Sequence, residues 1–172
     1  MVAAASVLLP LYIYPNSTSW QPLLDSAAAY PSLQFVAIIN PNSGPGYSPW
    51  WPNTDYTAGI AKLNAVSNIR TVGYVDTAQV NVPGGPYTAE TIEKDIATYA
   101  DRSTDTTYPN IGVSGIFFDD VTNVYSADSE AVLEEIANYT KAASGIANSK
   151  TVSLHNNNNP PPTTKEEEKI YL

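Results

Sequence analysis

Ile111-Gly112-Val113-Ser114-Gly115-Ile116-Phe117-Phe118-Asp119-Asp120 is an apolar run that stops abruptly at two acids. A strand with one wet face alternates polar and apolar residues, and this run has no polar face. It predicts a strand over 111–118 buried on both sides, as in a parallel sheet. Side chains alternate faces with period two, so Ile116, Phe118 and Asp120 share one face and Phe117 and Asp119 the other. Two carboxylates this close repel when both are ionised, so one is expected to hold its proton more tightly.

Working outward, the same type of run recurs at 7–14, 33–39 and 69–75, with a fifth beginning at 151–154. Helical patterns fall between the runs. One covers 20–30, opened by the Ser/Thr cluster at 17–19 and closed before Pro31. Others cover 55–66, with Asn53 or Thr54 as cap, 89–100, with Thr88 as cap, and 129–143. Strand and helix therefore alternate, which means an α/β domain built on a parallel sheet.

Two architectures fit four complete βα units and the start of a fifth. One is a (β/α)8 barrel of the TIM type truncated to its first four to five units, since a full barrel takes about 200 to 250 residues or more. The other is a doubly wound parallel sheet. Periodicity does not choose between them, and an open half barrel leaves an unpaired edge, which favours the second.

The remaining features narrow the function classes. Lys and Arg total 8 against 17 Asp and Glu, a net charge of −9, which argues against nucleic acid as a partner. There is no cysteine and one histidine, His155, so a thiolate or multi-histidine metal site is excluded, and no cofactor is expected. No apolar run reaches the roughly 18 residues of a membrane span. The apolar start of the chain lacks the positive residues of a signal peptide and reads as the first strand. Two glycosylation sequons occur, Asn16-Ser17-Thr18 and Asn138-Tyr139-Thr140. From His155 the sequence turns to Asn and Pro runs followed by Glu166-Glu167-Glu168. Two parts are therefore expected: a barrel-like domain over 1–154 and a disordered low-complexity tail over 155–172.

In parallel α/β folds, functional groups gather at the C-terminal ends of strands. Those ends carry Tyr12 and Tyr14, Asn40 and Asn42, Tyr74 and Asp76, and Asp119 and Asp120. Polar residues at every end point to a ligand site, although helix capping explains any one Asp or Asn equally well. Trp50 and Trp51 follow the second strand in a Pro/Gly loop and suit a sugar-stacking platform, or else packing beneath that loop. Twelve tyrosines and three tryptophans beside few lysines also suit carbohydrate.

Four segments together resemble one family. They are Leu11-Tyr12-Ile13-Tyr14-Pro15, Ile39-Asn40-Pro41-Asn42-Ser43-Gly44-Pro45-Gly46, Val72-Gly73-Tyr74-Val75-Asp76-Thr77 and Gly115-Ile116-Phe117-Phe118-Asp119-Asp120. In this order and spacing they resemble the spherulin-4-like proteins, spherulation-specific family 4, over residues 7–154. The resemblance implies a (β/α)8 barrel, largely fungal and often extracellular or at the cell surface. It implies a glycoside hydrolase-like protein acting on α-1,4-linked galactosamine-containing polysaccharide, and the net charge of −9 favours a cationic, partly deacetylated galactosaminan as the partner. It makes Asp119 and Asp120 the catalytic acids of the fourth strand. Tyr12, Tyr14, Asn40, Asn42, Trp50, Trp51, Tyr74 and Asp76 are then the candidate substrate-binding residues. The chain departs from the family pattern in having Asp-Asp where Asp-Glu is common. A further family carboxylate falls on a later strand that has no counterpart here. A noncatalytic sugar-binding protein is the alternative reading.

Overall fold

A computed structural model describes residues 6–48, 51, 53–78, 80, 85–122, 125–146 and 154–155. Five strands form one sheet: β1 (Ser6–Leu11), β2 (Gln34–Ile39), β3 (Ile69–Asp76), β4 (Ile116–Asp119) and β5 (Leu154–His155). Their order is β1-β2-β3-β4-β5 and every pairing is parallel. A doubly wound sheet reverses direction beside its first strand. Here β1 pairs with β2 alone among the described residues, so that alternative fails. Sequential parallel order is that of a (β/α)-barrel, and the sheet is a sector of one.

Helices α1 (Gln21–Ala29), α2 (Thr54–Asn64), α3 (Ala89–Asp101) and α4 (Ala127–Ala142) link the strands. The caps of α2 and α3 follow the sequence, and α4 is capped by Ser126, which the sequence reading did not single out. Asn53 accepts from the backbone N–H groups of Asp55 and Tyr56, Thr88 and Thr91 form a reciprocal capping box, and Ser126 accepts from Ser129. Helix α1 departs from expectation, because its N-cap is Trp20 with no side-chain bond. The expected Ser/Thr cluster serves the turn ahead of it. There Asn16 Oδ1 accepts from the backbone N–H groups of Thr18 and Ser19, at 3.0 and 2.9 Å.

The two faces of the sheet are packed differently. Leu11, Phe35, Ala37, Ile39 and Ile69 meet Leu23, Ala27, Ile60 and Leu63 of α1 and α2. Val75, Ile116 and Phe118 meet Ile92, Ile96, Tyr99, Val132 and Ile136 of α3 and α4. On the other face Leu8, Val36, Ile38, Val72, Tyr74 and Phe117 form a cluster containing no helix residue. In barrel geometry this is the interior face. The expected split of Phe117 from Phe118 thus holds.

Two strands are shorter than predicted. The fourth begins at Ile116, not 111, because Ile111 and Val113 are apolar for a different reason: they plug two separate core clusters from a loop. The first leaves the sheet after Leu11, so Tyr12 and Tyr14 lie beyond its end. His155 belongs to β5, one residue past the predicted domain boundary. The predicted tail from 156 lies outside the described residues, as does Trp50.

Candidate functional site

The interior face ends in polar groups at the C-terminal rim. The register places Tyr74 opposite Phe117 and Asp76 opposite Asp119. One rung of β3 and β4 is therefore aromatic and the next acidic. The Tyr12 ring stands edge-on to Tyr74, with centroids 5.6 Å apart, and Tyr74 lies 6.2 Å from Phe117. An aromatic row thus crosses the rim and bridges over the end of β2. Tyr12 is half exposed. Its other face is therefore available to a ligand.

Tyr74 also neighbours the acidic rung. Burial first, then the charge of Asp119, pushes its hydroxyl pKa well up. Burial and the charges of Asp119 and Asp120 push Tyr12 up to about 12. Both phenols therefore stay neutral donors at any ordinary pH. Asp76 is held from two sides: Oδ1 accepts from the Ala78 N–H at 2.8 Å and Oδ2 from the Tyr87 hydroxyl at 3.0 Å.

Asp120 differs from its neighbour. Its backbone is left-handed, φ 57°, which turns it out of the strand alternation and leaves it exposed. Asp is among the few residues that enter this region readily. Its pKa is raised, first by desolvation and then by the charges of Asp119 and Asp76. This is the expected asymmetry of a close acid pair, with desolvation as its first cause.

Three expected residues have other placements. Tyr14 donates to Asp55 Oδ2 at 2.7 Å and Asn53 Oδ1 at 3.1 Å, so its hydroxyl is fastened to the start of α2 and not to the acids. Trp51 receives the Arg102 guanidinium 3.6 Å from its ring centre and packs against the core of α1 and α2. That ring face is closed to sugar, and packing beneath the loop is its observed role. Asn42 is exposed in the loop after β2. Asn40 ends β2 at the rim, and its Oδ1 accepts from the Gly44 N–H at 3.3 Å.

The Asn-Pro-Asn-Ser-Gly-Pro-Gly segment owes its shape to α3. Arg102 Nη2 donates to the Pro45 carbonyl, and Tyr47 donates to Asp95 Oδ1 at 3.0 Å. Ser43 and Gly46 take positive φ, 48° and 72°, at the bends. Neither this clamp nor Tyr87 was foreseen. Tyr87 had one faint signal, its place directly before the Thr88 cap.

Hollows of about 210 Å³ between α1 and α2 and about 320 Å³ at the opposite rim contain none of the strand-end acids. Among the described residues no group of three His, Cys, Asp or Glu could hold a metal ion, and no helix is long and apolar enough to cross a membrane.

Known proteins resemble this chain in fold and sequence. Aspergillus clavatus Sph3, solved in complex with GalNAc, superposes with a TM-score of 0.79 at 36% identity, over 89% of this chain and 58% of that one. The GH6 enzyme of Orpinomyces sp. Y102, at 14% identity and a TM-score of 0.54, shares the fold. Spherulin-4 of Physarum polycephalum is 36% identical over 143 residues, 83% of this chain. The chain spans 37% of that relative's length. The spherulation-specific family 4 model matches residues 6–166, which takes in all five strands and every candidate site residue, and the chain belongs to that family.

Proposed function

We propose that the chain is a secreted, glycoside hydrolase-like protein that acts on galactosamine-containing polysaccharide at the rim of Tyr12, Tyr74, Asp76, Asp119 and Asp120. The observation that carries the reading is the acid cluster at the rim: Asp76 pairs with Asp119 at the strand ends beside Tyr74, and the exposed Asp120 follows them directly. Glycoside hydrolysis uses one carboxyl as proton donor and another as an anion. Asp120, whose pKa is raised, suits the donor. Relatedness to a protein solved with GalNAc supports the sugar class. The rim has aromatic faces for stacking and acids for an amino sugar, which suits a partly deacetylated, cationic polymer. The test is release of reducing ends from a galactosamine-rich polysaccharide by the chain and by Asp119→Asn. Equal rates would remove Asp119 from the mechanism.

One observation favours a second reading, sugar binding without cleavage. Among the described residues the acids of the rim come only from β3, β4 and the residue that follows β4. Salt-sensitive retention on the same polymer with no release of reducing ends would support it.

A further inference from the structure

We propose that Asn16 is an N-glycosylation site and that the second sequon, at Asn138, is silent. The inference rests on the secretory placement given above, not on the hydrolase reading. Asn16-Ser17-Thr18 occupies the loop between β1 and α1, and all three residues are exposed. Acceptor sequons belong to surface loops. Asn16 Oδ1 is turned back onto its own loop, where it accepts from the Thr18 N–H at 3.0 Å, the Thr18 hydroxyl at 3.2 Å and the Ser19 N–H at 2.9 Å. The planar amide therefore points Nδ2 away from these donors. The same turn brings the Thr18 hydroxyl onto the amide that reacts.

Asn138 has the opposite setting. It lies well inside α4, a helix of 16 residues with a Ser126 cap. Its sequon threonine, Thr140, is 2% exposed, and its hydroxyl donates to the Ile136 carbonyl at 2.8 Å. To present that sequon the last turns of α4 must unwind and Thr140 must leave the core.

The step is a substitution at carbon. Asn16 Nδ2 bonds to C1 of an oligosaccharide carried on a lipid diphosphate. The C1–oxygen bond to the diphosphate breaks, the lipid diphosphate leaves, and Nδ2 gives up one proton. The glycan would stand beside the hollow between α1 and α2 lined by Ser17, Trp20 and Gln21. None of the strand-end acids lines that hollow.

The test is translation of the full chain, behind a cleavable leader, in the presence of microsomes, read as an endoglycosidase-sensitive mass shift. One shift is expected. It should vanish in Asn16→Gln and Thr18→Val, and persist in Thr18→Ser and Asn138→Gln. An unmodified wild-type chain, or any shift that survives Asn16→Gln, overturns the proposal. Cleavage and binding assays are separate, so failure of the hydrolase reading leaves this result standing. Absence of the chain from the medium of its own cells would remove the secretory placement and this proposal with it, and would leave the hydrolase reading standing.

Discussion

Arg102 and Trp51 form a buried cation–ring stack, with the guanidinium carbon 3.6 Å from the ring centre and Tyr99 behind it at 4.7 Å. Arg102 is 3% exposed, and burial lowers its pKa to about 10. Its Nε and Nη1 have no hydrogen-bond partner among the described residues. The two rings and the Pro45 carbonyl are what offset its desolvation. Desolvated stacks of this kind contribute about 2 kcal/mol. Arg102→Ala and Trp51→Ala should each destabilise the chain, and their double mutant should lose about 0.5 to 2 kcal/mol less than the sum. Urea unfolding of the four proteins measures this, and strict additivity would contradict the stack.

Gly73 shows why the third strand tolerates no side chain at that point. A Cβ there would lie 2.7 Å from the ring of Tyr99, which is fully buried and donates to the Ile39 carbonyl at 3.0 Å. The ring is pinned and cannot step aside. Gly73→Ala should cost about 1 to 3 kcal/mol of stability, the usual range for overpacking. A variant as stable as the wild type would show that α3 is free to shift.

Asp120 gives a pH signature. Its folded pKa is raised, so the folded state binds its proton more tightly than the unfolded one. That contribution is fully present below the ordinary carboxylate range and is lost as pH rises through the folded pKa. Asp120→Asn removes the charge and keeps a residue at ease with positive φ. The variant should be more stable than wild type at neutral pH, with the gap closing on acidification. Thermal unfolding across the carboxylate range reads it, and a gap that widens at low pH would contradict the assignment.

Much of this was legible in the sequence. The four apolar runs that became β1 to β4 were visible, and so were the caps at Asn53 and Thr88, because strand burial and capping act within a few residues. Strand order was not, since the neighbour of β1 is chosen by packing across the whole domain. The family resemblance chose it correctly. For Trp51 the sequence did not choose between a sugar platform and packing beneath its loop, because its partner, Arg102, lies at the end of a later helix. The 111–115 segment looked like strand because core plugs in loops and buried strands draw on the same residues. At the rim, strand parity separated Asp119 from Asp120, but the left-handed turn at Asp120 left no trace in residue type.

The central claim is that Asp119, with Tyr74 beside it, works on an amino-sugar polymer. Its most direct measurement is reducing-end release from partly deacetylated galactosaminan by wild type, Asp119→Asn and Tyr74→Phe at one pH. Wild type should cleave, Asp119→Asn should lose nearly all of that rate, and Tyr74→Phe should fall between them. A single hydrogen bond to a charged group is worth about 1.5 to 3 kcal/mol, or about 10- to 150-fold if all of it is felt in the transition state. Equal cleavage by wild type and Asp119→Asn would contradict the account.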